Sequence, residues 1–207
     1  MLTLAHRDIK VKFALRRNAV MNKALAMKEY ETEMERAAKT GIATDKIAEI
    51  GTCPRSVDEV FSLGIKLQYY IGGVYMEMAE MRRGEAKKYF KQQAVKQLAI
   101  KDEIKYLADN NLNRMLDYFY ANGGPVIEPP VSDETAKRIQ PFFNRIASSS
   151  LDEIRNVIDE GSNYDAENVA MYVTETVADM YSAISRLYEA ESAMTGAFKE
   201  LLAIQAR

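Results

Sequence analysis

The stretch Ser56-Val-Asp-Glu-Val-Phe-Ser-Leu-Gly-Ile-Lys-Leu-Gln-Tyr-Tyr-Ile-Gly-Gly-Val-Tyr-Met-Glu-Met-Ala-Glu80 decides the fold class. It follows a Gly51-Thr-Cys-Pro54 turn and opens with Ser56-Val-Asp-Glu59, a capping box in which serine and glutamate oxygens each satisfy an orphan amide of a first helical turn. Beyond the box, Val60, Leu63, Gly64, Leu67, Ile71, Val74 and Met78 recur at steps of three and four, which draws one buried face of a helix running to about Arg83.

The same texture extends both ways. Downstream, Ile100, Ile104, Leu107, Leu112, Met115 and Phe119 mark a helix over 85–121, and Val169, Val173, Val177, Met180, Ile184 and Leu187 another over 165–191. Between them lie an irregular stretch over 122–132 and a helical segment over 133–160, expected to break near Ser149 because Ser150-Leu-Asp-Glu153 is a second capping box. A shorter helix runs from Ala193 to the end. Upstream, residues 7–39 lack Gly and Pro and are rich in helix formers, with Gly41 as C-cap and a short helical piece over 44–50. Alternating strand patterns are absent. With only 10 Gly and 5 Pro in 207 residues, the chain is expected to be all-α: an antiparallel four-helix bundle over 52–207, built on 56–83, 85–121, 133–160 and 165–191, with an N-terminal helical arm over 1–51.

Composition excludes more chemistry than it suggests. One cysteine, Cys53, removes disulfide frameworks and thiolate metal cages, and it stands in a turn as a bystander. One histidine, His6, removes two-histidine metal sites and disfavours a Ser–His–Asp triad. No phosphate-binding glycine loop occurs. No apolar run approaches the length of a membrane span and no secretory leader is expected, so a cytoplasmic protein is the reading.

Formal net charge is −2, yet the charge is segregated. Residues 1–28 hold seven basic side chains against Asp8 alone, whereas 133–207 hold seven basic and thirteen acidic. Within 7–39, Ile9, Phe13, Ala14, Val20, Met21, Leu25 and Tyr30 form an apolar stripe that needs a covering surface. A homodimer in which this helix contributes, lying on the acidic half within or between subunits, is expected; nucleic acid is not.

The helix pair over 56–80 and 85–103, the latter opening Glu85-Ala-Lys-Lys-Tyr-Phe90, together with Asn168-Val-Ala-Met-Tyr-Val-Thr-Glu-Thr-Val-Ala-Asp-Met-Tyr181, resembles the rubrerythrin-like branch of the ferritin-like superfamily. The resemblance implies a bundle whose helices project carboxylates and imidazoles inward to hold two irons. It places a ligand glutamate seven residues before a tyrosine in the first helix and a Glu-x-x-His pair in the second. Seven before Tyr75 stands Gln68; the Glu-x-x-His positions hold Gln97 and Ile100; seven before Tyr181 stands Thr174, with Glu175 one step off the face. The last helix offers only Glu200. An amide is a weak ligand for a hard cation and isoleucine is none.

The resemblance therefore implies the fold, while these degenerate positions imply no cofactor and a structural or interaction role. The alternative is an oxidoreductase or metal-binding protein holding di-iron or di-manganese on a non-standard carboxylate set drawn from Glu77, Glu80, Glu103, Asp109, Glu175 and Asp179. Gln68 and Gln97 are expected to face inward and to pair with each other or with Tyr69, Tyr70 or Tyr75; a small polar pocket that includes Tyr75, Tyr181 and Glu175 is the other possibility.

Overall fold

The computed structural model describes residues 28, 32, 50–122, 130–160, 166–189 and 192–206. Every regular element among them is α-helical. Five helices have defined bounds: α1 (Val57–Met81), α2 (Gly84–Asn122), α3 (Asp133–Glu160), α4 (Ala166–Ser185) and α5 (Ala193–Gln205). The expected arm over 1–51 falls outside the described residues except at Lys28, Thr32, Ile50 and Gly51. Most of the 122–132 stretch does as well.

α1 starts where the capping box places it. The Glu59 amide donates to Ser56 Oγ at 3.3 Å. The Glu59 carboxylate reaches one residue beyond the cap and accepts from the Arg55 amide at 2.7 Å. The Arg82-Arg83 link then reverses the chain, with Gly84 at φ 63°, a left-handed conformation in which a side chain is strained.

Contacts along the helices fix their directions. Tyr75 meets Phe90 at a ring separation of 6.2 Å, while Gly64 lies beside Ile104, so α2 runs antiparallel to α1. Gly64 also lies beside Leu201, and Gln68 bonds Gln205, so α5 runs parallel to α1. A Cβ at Gly64 would stand 2.9 Å from Leu201 Cδ2 and 3.3 Å from Ile104 Cδ1, which is why the crossing of these three helices is made at a glycine. α3 is parallel to α1 as well, since Arg55 pairs with Asp133 at one end and Glu77 with Arg155 at the other. The α4–α5 hairpin closes with Tyr181 against Phe198 at 6.3 Å.

The periodic positions of α1 are buried, but so are the positions between them. From Tyr70 to Met76 every residue is buried, more than a full turn on all sides. A helix apolar around its whole circumference belongs in the middle of a core. α2, α3 and α5 all pack on it. The four-helix expectation gives α5 no place in that core; instead α5 packs on α1, α2 and α4 and buries Met194, Ala197, Phe198, Leu201 and Ile204.

Two expected boundaries are corrected. α3 does not break near Ser149 but runs through Ser148-Ser149-Ser150 without interruption. The buried stripe Ile139, Phe143, Ala147, Leu151, Ile154 and Ile158 crosses the serines in register, and its packing outweighs their weak helix preference. Pro141, inside the same helix, is exposed, as is Lys137, whose carbonyl loses its partner there and can turn to water. α4 ends at Ser185 and not at 191. The residues that follow form tight turns, with the Leu187 amide on Ile184 O at 2.9 Å and the Tyr188 amide on Ser185 O at 3.2 Å. Tertiary anchoring accounts for the early stop: Tyr188 stacks on Phe198 at 6.0 Å and its hydroxyl donates to Pro54 O at 2.7 Å.

Cys53 is buried rather than displayed by its turn. Its amide donates to Gln140 Oε1 at 3.0 Å and its thiol points at Ala136 O at 3.7 Å. Burial pushes the thiol pKa up, the reverse of an activated cysteine.

Candidate functional site

Two positions named by the sequence are set at one level along the α1–α2 seam. From the Tyr75–Phe90 contact, seven residues back along α1 reach Gln68, and seven forward along α2 reach Gln97. On antiparallel helices both steps travel the same way, about 10 Å or two turns, so the glutamines occupy one level of the seam. Gln68 is 0% exposed and Gln97 4%.

Two further helices reach this level. From α5, Gln205 accepts a hydrogen bond from Gln68 Nε2 at 3.1 Å, and it is itself buried. From α4, the fully buried Tyr181 lies beside the Gln68 amide. Burial raises the Tyr181 pKa and the neighbouring amide lowers it, burial being the stronger influence. Tyr75, two turns along α1, is likewise raised, first by burial and second by Tyr89. Gln68, Gln97, Tyr181 and Gln205 thus bring one uncharged polar side chain from each of four helices into the interior.

The pairing is incomplete. Gln68 Oε1, Gln97 Oε1, Tyr75 Oη and Tyr181 Oη have no hydrogen-bond partner. The expected Gln68–Gln97 bond is therefore not made, neither carbonyl accepts from a tyrosine, and the Gln68 amide bonds instead to Gln205, a residue the sequence reading missed. A signal for it existed: Gln205 stands seven after Phe198, on the same apolar stripe of the last helix.

The other named positions are dispersed. Ile100 is half-buried against the core, as an aliphatic residue should be. Thr174 is half-buried and its hydroxyl donates back to Ala170 O at 2.9 Å, the local bond common for threonine within a helix. Glu175 is exposed. Of the alternative carboxylates, Glu77 is tied to Arg155 at 3.2 Å and Glu80 to Lys87 at 3.4 Å, while Glu103, Asp109 and Asp179 are exposed. Among the described residues, no three His, Cys, Asp or Glu side chains come together in a way that could hold a metal ion.

A surface groove of about 300 Å3 lies between residues 50–51 and α3, floored by Tyr70, Ala147 and Leu151 and edged by Asn144, Asp152 and Arg155. The Arg155 guanidinium is already held by Glu77 and Asp159, the latter at 3.7 Å. Its charge serves the α1–α3 contact and is not left over for an anion.

No family model matches this chain, and neither a curated protein nor a solved structure matches it.

Proposed function

We propose that this chain is a metal-free, rubrerythrin-like helical bundle of the ferritin-like type, which acts as a structural or interaction subunit. The observation that carries the reading is the chemistry of the interior. Where the resemblance would put ligands, the chain buries two glutamines, Gln68 and Gln97, and the first of them meets a tyrosine and a third glutamine from two other helices, with no buried carboxylate among the described residues. Amide and phenol groups at neutral pH are poor ligands for iron or manganese, which favour anionic oxygen and imidazole.

Helix order supports the bundle. With α1 taken as up, α2 runs down, α4 down and α5 up, and the connection between the two parallel members holds α3. One long crossover between two hairpins is the arrangement of ferritin-like bundles. On this reading the four core helices are α1, α2, α4 and α5, with α3 as the body of the crossover.

The reading is tested by metal content. Full-length protein purified without chelator is expected to hold a small fraction of an equivalent of iron or manganese per chain. About two equivalents, the complement of a di-metal bundle, would overturn it in favour of the oxidoreductase alternative.

The same proposal makes the subunit a cytoplasmic homodimer joined through its N-terminal helix. No helix among the described residues is long and apolar enough to cross a membrane. Sedimentation of the full chain should give a dimer, and a chain starting at Thr52 should give a monomer. One common state for both would remove that helix from the interface.

A further inference from the structure

On the reading of the chain as a homodimer joined through its N-terminal helix, we infer that this helix docks on the outer face of α4 of the second copy. The two subunits exchange arms, each seated on the other's α4.

α4 has two unlike sides. Val169, Val173, Val177, Met180 and Ile184 are buried, and the helix packs on α3 and α5. Met171, Tyr172, Glu175 and Asp179 recur at steps of three and four on the other side, and all four are exposed. Met171 is 49% exposed and Tyr172 54%, two large apolar side chains side by side in water. α4 contains no Lys or Arg, and among the described residues neither Glu175 nor Asp179 has a salt-bridge partner. An apolar pair edged by unpaired negative charge fits a basic amphipathic helix.

The other large exposed apolar side chains do not offer this combination. Met81 is followed by Arg82 and Arg83, and Phe142 has Arg145 over its ring at 6.0 Å, so a basic helix is repelled at both. Tyr106 has no second large exposed apolar residue along α2 among the described residues.

Each copy of the chain supplies one such helix. Residues 1–28 carry seven Lys and Arg against Asp8 alone, and the apolar stripe of the arm needs cover. Arg16 and Arg17 stand three and four residues after Phe13 and four and three before Val20, so on a helix two cations flank two apolar residues. Tyr172, Glu175 and Asp179 repeat those steps of three and four with the opposite charge. A two-fold exchange makes the contact twice, which doubles its apolar area and its ion pairs in the dimer.

A charge exchange read by sedimentation equilibrium of the full chain tests this. One variant carries Glu175→Lys with Asp179→Lys, the other Arg16→Glu with Arg17→Glu. Each alone should dimerise about tenfold more weakly than the unaltered chain, or weaker still. Mixed in equal amounts, the two should recover a dimer with one copy of each, because each arm then meets an α4 face of opposite charge. If the Glu175/Asp179 variant dimerises as tightly as the unaltered chain, the arm is seated elsewhere; the inference fails and the homodimer reading stands. If both variants weaken and the mixture restores nothing, the contact is not exchanged between copies, and the inference fails as well. An unaltered chain that sediments as a monomer would overturn the inference and the homodimer reading together. Should a reversed variant fail to fold by circular dichroism, Tyr172→Ser in the full chain decides. A weaker dimer supports the seat on α4, and an unchanged dimer overturns it.

Discussion

Replacement of Phe198 by alanine is expected to lower the free energy of unfolding by about 3–5 kcal/mol, the range for truncating a fully buried phenylalanine. Phe198 is 0% exposed and its ring joins Tyr181 at 6.3 Å and Tyr188 at 6.0 Å. The loss therefore spreads beyond one cavity. Without that ring the Tyr188 side chain has no stacking partner on α5, and the tie from its hydroxyl to Pro54 O loses its support. The α4–α5 hairpin and the turn before α1 should loosen together. Urea unfolding followed by circular dichroism measures the change, and Phe198→Leu, which keeps most of the apolar volume, should recover more than half of it. A loss below about 1 kcal/mol for the alanine variant would mean that α5 is not the core element described here.

The second large effect is alkaline. Tyr75 and Tyr181 are buried phenols whose folded pKa lies well above the ordinary value of 10, with burial as the main cause in both. A raised folded pKa means that the native state favours the neutral phenol. Their stabilising contribution is present in full below pH 10 and is lost as pH rises above it, because the unfolded chain releases protons that the folded chain retains. Each such tyrosine steepens the decline by up to about 1.4 kcal/mol per pH unit, so the pair gives a slope near 3 kcal/mol per unit. Tyr188, raised mainly by burial as well, adds in the same direction. Unfolding midpoints in urea measured on both sides of pH 10 should show a flat region and then this fall. Tyr181→Phe should lower the slope by up to about 1.4 kcal/mol per pH unit, roughly a third of it. An unchanged slope in that variant would place the Tyr181 hydroxyl in contact with solvent.

Legibility in the sequence followed the range of the interaction. The Ser56 capping box and the α1 face from Val60 to Met78 rest on neighbours one to four residues apart, and such patterns are written in one short stretch. The end of α4 was not legible. Arg186-Leu-Tyr-Glu189 is good helix sequence, and it leaves the helix because Tyr188 is held by Pro54 and Phe198, which no local window contains. The serines at 148–150 misled in the opposite sense: a local stop signal yields to a stripe that α1 and α4 cover. Inward placement of Gln68 and Gln97 could be read from periodicity, since both sit among apolar residues at helical spacing. The partner of Gln68 could not, because a periodic pattern says which side of a helix is covered and not by which helix.

The position of α1 also governs the order in which the polypeptide can mature on the ribosome. Its burial begins about a quarter of the way along the chain, and the face at Gly64 and Gln68 is covered only by α5, as the Gln68–Gln205 bond across 137 positions shows. During synthesis this heavily buried helix is thus exported long before its last neighbour exists. Emerging chains must carry α1 uncovered, or covered by provisional contacts, until α5 clears the exit tunnel. Local hairpins such as α1–α2 can form at once, whereas closure of the core waits for α5. Nascent chains released before α5 is made should therefore be the aggregation-prone and chaperone-bound species of this protein, even though α1 to α4 are already present in them.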